Sequence, residues 1–150
     1  MVEQSFGWRR ARARDSCLLA RGVVMAFLVV AAGCATTGRL TKDSSPEAKV
    51  AAVSERVNAR WDALIKSDLA LAYTYLSPAS REIVSLESYK RQARGTGFQD
   101  AKIDKVECDG AVCNVRLFVT YDHRMIKGLT TPLDEKWVID EGKAWYVWAQ

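Results

Sequence analysis

Residues 46–69 read PEAKVAAVSERVNARWDALIKSDL. Val50, Val53, Val57, Trp61, Leu64 and Ile65 recur at helical spacing, with Lys49, Glu55, Arg56, Arg60 and Asp62 between them. That pattern predicts one amphipathic helix of about 20 residues. Ser45-Pro46-Glu47 supplies its start: a capping hydroxyl, a ring that pre-sets φ, and an acid at the positive end of the helix dipole. Ser67-Asp68 interrupts the pattern. A long apolar stripe needs a surface to cover it, and the residues downstream supply one.

Leu69–Leu76 (LALAYTYL) predicts a short apolar helix that Ser77-Pro78 halts, and Pro78 can start another. Ile83, Val84, Leu86 and Tyr89 carry apolar positions to about Arg94, with Ser85-Leu86-Glu87 as a possible restart; Gly95-Thr96-Gly97 breaks the pattern. Beyond it the period changes. Phe98–Glu107, Val112–Tyr121, Leu129–Ile139 and Ala144–Trp148 are rich in β-branched and aromatic residues. Short connections join them: Asp-Gly, Arg-Met-Ile-Lys-Gly and Asp-Glu-Gly-Lys. A two-residue last turn places Asp140 opposite Lys143 and Val138 beside Trp145. Helices followed by four strands in a meander give an α+β fold, with N-terminal helices packed on an antiparallel sheet.

Upstream, Arg9, Arg10, Arg12, Arg14 and Arg21 face only Glu3 and Asp15, and Gly22–Ala32 (GVVMAFLVVAA) is uncharged. A basic segment, an apolar run and small residues are the layout of a secretory signal. Eleven residues span about 16 Å as a helix, against the roughly 30 Å of a bilayer core. Ala31-Ala32-Gly33-Cys34 resembles the lipobox of bacterial lipoproteins, with Ala31 where that family more often has a large aliphatic residue. The resemblance implies cleavage after residue 33 and acylation of Cys34, including palmitate. Ala35, rather than Asp, implies sorting to the outer membrane with the domain in the periplasm; an ordinary secretory signal with a chance cysteine is the alternative. The expected division is therefore 1–33 signal peptide, 34–47 lipidated cysteine and flexible tether, and 48–150 folded domain.

The charge arithmetic follows this division. The chain carries 22 Lys plus Arg and 18 Asp plus Glu, net +4. Residues 1–33 hold five of the bases and two of the acids, leaving 17 and 16. The basic pI belongs largely to the leader and gives no support to nucleic-acid binding. Of four cysteines, Cys17 lies in the leader and Cys34 is the anchor. Cys108 and Cys113 flank Asp109-Gly110-Ala111-Val112, a hairpin composition that brings them face to face. A disulfide is favoured in an oxidising compartment; two free thiols or a redox pair are the alternatives.

Residues 48–150 also resemble the nuclear transport factor 2-like (SnoaL-like, cystatin-like cone) family. Trp61–Leu69 is similar to the end of that family's first helix, and Tyr73-Thr74-Tyr75-Leu76-Ser77-Pro78 to its second helix and turn. Glu135-Lys136-Trp137-Val138 and Ala144-Trp145-Tyr146-Val147-Trp148 are similar to its last two strands. The resemblance implies a bent sheet wrapping the long helix, with a pocket at the open end of the cone. Some members bind or isomerise small apolar molecules with an Asp base and a Tyr donor.

No motif places such a pair here; Asp122 with Tyr121 or Tyr73 qualifies by residue type alone. His123 is the one histidine, beside Asp122, and adjacent strand residues point to opposite faces. A surface histidine is the simpler account. The chain has no nucleophile elbow and no Gly-rich phosphate loop, and no metal or cofactor is expected. Trp61, Trp137, Trp145, Trp148, Tyr73, Tyr75 and Tyr146 are expected mostly in the core. The basic clusters Lys90-Arg91-Gln92-Ala93-Arg94 and Lys102/Lys105 are expected on a solvated face, where they could make a weak contact with anionic lipid or peptidoglycan. The expected function is a membrane-anchored envelope lipoprotein binding a partner protein or small ligand without catalysis. The alternative is a lipid-anchored, enzyme-like domain doing acid/base chemistry on a small apolar molecule.

Overall fold

A computed structural model describes residues 39–148. The expected signal segment 1–33 and Cys34 lie outside them. The first helix, α1 (Pro46–Ile65), starts where its cap chemistry puts it: Ser45 Oγ accepts from the Ala48 amide at 3.2 Å. It ends at Lys66, and Ser67 takes a positive φ of 58° before the chain re-enters a helix. Asp68, Ser77 and Ser85 cap α2 (Leu69–Tyr73), α3 (Pro78–Ile83) and α4 (Leu86–Ala93) in the same way, each side chain accepting a backbone amide three residues on.

Four strands follow: β1 (Phe98–Asp109), β2 (Val112–His123), β3 (Ile126–Asp140) and β4 (Lys143–Tyr146). They pair antiparallel in sequence order. Cys108 faces Cys113, Val138 faces Trp145 and Asp140 faces Lys143. The α+β order expected from the sequence is the one observed. β2 and β3 run longer than their apolar runs, because the ladder continues to His123 opposite Ile126. β4 is shorter, stopping at Tyr146. Register shifts between Phe98 and Asp100 and between Ile103 and Lys105 bend β1.

Alternation on β2 defines the inner face. Cys113, Val115, Leu117 and Val119 are buried, while Asn114, Arg116 and Phe118 are exposed. Val53, Val57, Trp61 and Leu64 of α1 join that face in one core with Tyr89, Trp137 and Ile139. Leu76 forms a parallel bridge with Tyr146, tying the α2–α3 link to the short edge strand. The Ser77 amide donates to the Tyr146 carbonyl at 2.8 Å, and the Tyr146 amide to Tyr75 at 2.8 Å.

Ahead of α1, Leu40 bridges Gly142 in the β3–β4 turn. Gly142 has φ +82°, and a Cβ there would stand 2.5 Å from Arg39 Cγ. The left-handed φ favours glycine, and a Cβ would have to displace the Arg39 side chain. Two cations that alternate with the apolar positions of α1 are buried rather than solvated. Lys49 donates to the Gly110 carbonyl at 2.8 Å, and Arg60 enters the core.

Candidate functional site

Arg60 follows Val57 by three residues and precedes Leu64 by four, so the helix turns it onto the apolar stripe. Glu135 shares a strand face with Trp137 and Ile139. Packing α1 on β3 therefore brings one base and one acid together inside. Arg60 Nη1 donates to Glu135 Oε1 at 2.7 Å, with the two side chains 5% and 2% exposed. Trp61 Nε1 donates to the same oxygen at 3.1 Å, and Trp137 Nε1 to Oε2 at 3.0 Å. The Arg60 guanidinium lies 3.7 Å from the Tyr146 ring centre.

The electrostatics follow from burial and this pairing. Burial pulls the Arg60 guanidinium down, but Glu135, with Tyr89 and Tyr146, outweighs it and holds the pKa above the ordinary arginine value. Burial pushes the Tyr89 and Tyr146 phenols up against the nearby Arg60 charge. Arg60 Nε and the Tyr89 hydroxyl make no hydrogen bond among the described residues. The carboxylate accepts three donors and faces a fixed cation. That arrangement organises the core. The signal in the sequence is an in-phase Arg on the helix and an in-phase Glu on the strand, each of which taken alone has the look of a solvated polar position.

Among the described residues no hydrogen bond links the residues singled out by type to one another. Asp122 accepts from Lys127 Nζ at 2.8 Å and the Gly128 amide at 3.0 Å. The Lys127 and Gly128 bonds hold its carboxyl below the usual range. His123 is exposed, and among the described residues no hydrogen bond joins it to Asp122. Tyr121 packs edge-on to Phe98, with ring centres 6.3 Å apart. The Tyr73 hydroxyl donates to the Val84 carbonyl at 2.9 Å, far along the chain from Asp122. Cys108 and Cys113 are bonded, S–S 2.08 Å.

Two cavities of comparable size open elsewhere. One of about 750 Å³ lies where α1 ends, lined by Leu64, Asp68, Lys90, Arg94 and Phe98 among others. The second, about 770 Å³, is a groove lined by Ile83 of α3 with Val112, Val138, Trp145, Val147 and Trp148. Val112 faces Val138 and Val138 faces Trp145 across the ladders, so the three share one sheet face. Glu135, Trp137 and Ile139 alternate with Val138 and belong to the opposite, inner face. The groove thus joins outer-face residues to Trp137 and Ile139 of the core, which also line it. Among the described residues no His, Cys, Asp and Glu cluster could hold a metal ion. None of the described helices is long and apolar enough to cross a membrane.

No family model matches the chain, and no curated protein sequence matches it. Solved structures do. A SEC-C motif-containing protein from Psychrobacter arcticus superposes with TM-score 0.56 at 8% identity, over 77% of this chain and 64% of that one. A SEC-C motif-containing protein from Rhodopseudomonas palustris gives TM-score 0.49 at 12% identity, over 61% of this chain and 71% of that one. A Campylobacter jejuni protein described as an NTF2-like transpeptidase gives TM-score 0.45 at 13% identity, over 64% and 98%. The first likeness shows an α+β fold in common and nothing about activity.

Proposed function

We propose that the chain is a lipid-anchored envelope lipoprotein, held by acylated Cys34 in the periplasmic leaflet of the outer membrane. Its cone-like domain, akin to the nuclear transport factor 2-like group, binds a partner or small ligand without performing chemistry on it. The observation that carries the non-catalytic part is the state of Glu135. This interior carboxylate is taken up by Arg60, Trp61 and Trp137. Asp122 is likewise committed to its own loop. An acid/base catalyst needs a group free to exchange a proton with a bound molecule, and neither acid is arranged that way. The anchor rests on the sequence of residues 22–34. Two acyl chains make attachment stable where one does not.

Metabolic labelling with a palmitate analogue tests the anchor. Wild-type chain incorporates label and is processed ahead of residue 34, and Cys34→Ser loses both. Undiminished labelling of Cys34→Ser would refute the assignment.

A further inference from the structure

We propose that the outer sheet face carrying Val112, Val138 and Trp145, with Ile83 of α3, is the surface on which the domain rests on an anionic lipid bilayer. The inference rests on the lipid-anchor reading and adds an orientation to it.

Three observations converge on this face. The first is chemical. Ile83 and Val112 are 69% and 48% exposed, large apolar side chains beside a half-buried indole. Arg56, Arg81 and Lys143 approach the Trp145 ring at 4.9, 5.6 and 5.7 Å from its centre. Among the described residues none of these three cations has a carboxylate within ion-pair distance, whereas Lys90, Arg116 and Lys127 do. An indole with flanking Arg and Lys is the composition that settles at the headgroup level of a membrane, and anionic lipid supplies the missing counter-charge.

The second is orientation. Trp145 Nε1 donates to the Asp140 carbonyl at 3.1 Å, which fixes the ring at the β3–β4 turn. Asp140 and Glu141 also occupy this turn. Asp140 turns its carboxylate to the Glu141 amide rather than to the cations.

The third is reach. The chain enters the domain at this same turn, through the Leu40–Gly142 bridge. Cys34 precedes Arg39 by five residues. However they are arranged, five residues reach at most about 18 Å. An acyl anchor at Cys34 therefore holds the end of the domain that carries Val112, Lys143 and Trp145 close to the lipid surface. The sites at the opposite end of α1 have no such constraint. Proximity, unpaired positive charge and exposed apolar area thus occur together. The basic clusters at Lys90–Arg94 and Lys102/Lys105 lack this combination.

The test uses the full chain, purified from membranes and reconstituted into phosphatidylcholine vesicles with or without phosphatidylglycerol. The vesicles contain brominated acyl chains that quench indole fluorescence. Quenching is expected to rise when phosphatidylglycerol is present and to fall sharply in Trp145→Phe. Arg81→Gln and Lys143→Gln should each lower the docking equilibrium constant about fivefold, at the usual contribution of one cation near an anionic surface. Ile83→Glu, at an exposed position that leaves the core alone, should also release the face. A palmitate-labelled chain that floats with vesicles but is equally quenched in wild type and Trp145→Phe keeps the anchor and overturns the face. Quenching that ignores phosphatidylglycerol and all three polar variants also overturns the face, and leaves the groove to a protein partner. A chain without palmitate that is still quenched at Trp145 by anionic vesicles discards the anchor and keeps the face.

Discussion

Glu135 is 4% exposed yet ionic, and its cost is offset only while its partners stay. Glu135→Gln leaves Arg60 as a buried cation without a counter-charge, so a loss of about 3–5 kcal/mol is expected in urea unfolding. Arg60→Met with Glu135→Leu should lose far less than the two single changes together. A wild-type midpoint for Glu135→Gln would show that the pair does not stabilise the fold. Tyr89 presents the converse case, a buried hydroxyl without a partner. Tyr89→Phe should change stability by no more than about 1 kcal/mol. Its pH behaviour is more telling. The folded chain holds the Tyr89 and Tyr146 protons above the ordinary value of 10.0, burial being the main cause. Below pH 10 that preference is fully present. As pH rises further the unfolded chain ionises first, so stability is lost. The urea midpoint should fall above pH 10, and less steeply in Tyr89→Phe. At the acid end, Asp122 and Asp134 titrate below 3.8 through bonds to Lys127 and Arg116. Their contribution is present above that value and lost as pH falls through the lowered values.

At the scale of elements, the β1–β2 hairpin is closed twice, by its turn and by Cys108–Cys113. The bond closes a loop of six residues, and its reduction should cost about 2 kcal/mol, read as the difference in urea midpoint with and without reductant. An unchanged midpoint would mean that the turn alone holds the register. The β3–β4 turn depends on Gly142 instead. Gly142→Ala should cost about 1–2 kcal/mol from its left-handed φ and speed proteolysis near Arg39, since the new methyl displaces that side chain. Most of these elements were legible in the sequence. Ser45-Pro46, Ser67-Asp68 and Ser77-Pro78 punctuate the helices, and Asp140 and Lys143 pair as their turn composition implies. The interior was less legible. Arg60 and Glu135 were in phase with apolar neighbours, but each is polar alone; only the crossing of α1 and β3 shows that they neutralise one another. Lys49 was hidden for the same reason, because its acceptor, the Gly110 carbonyl, comes from a turn 61 residues away. The groove was invisible because Ile83, Val112 and Trp145 belong to three separate elements.

Over the whole molecule, residues 1–33 carry +3 of the net +4, and several charges among the described residues form local pairs. Arg116–Asp134 and Lys127–Asp122 are exposed and contribute little, as surface pairs do. The core relies on Trp61, Trp137 and Tyr89; Trp61→Ala should cost about 3–5 kcal/mol in thermal or urea unfolding, since it removes both packing against Phe98 and one donor to Glu135. The place where the chain enters the fold has a mechanical meaning as well. A load pulling on residues upstream of Arg39 meets the Leu40–Gly142 bridge first and the Lys49–Gly110 bond next. Both give way one at a time, as a zip opens, whereas the long ladders between β1, β2 and β3 share no part of that path. Traction at the amino end should therefore load the contacts of α1 with the sheet before it reaches the strand ladders.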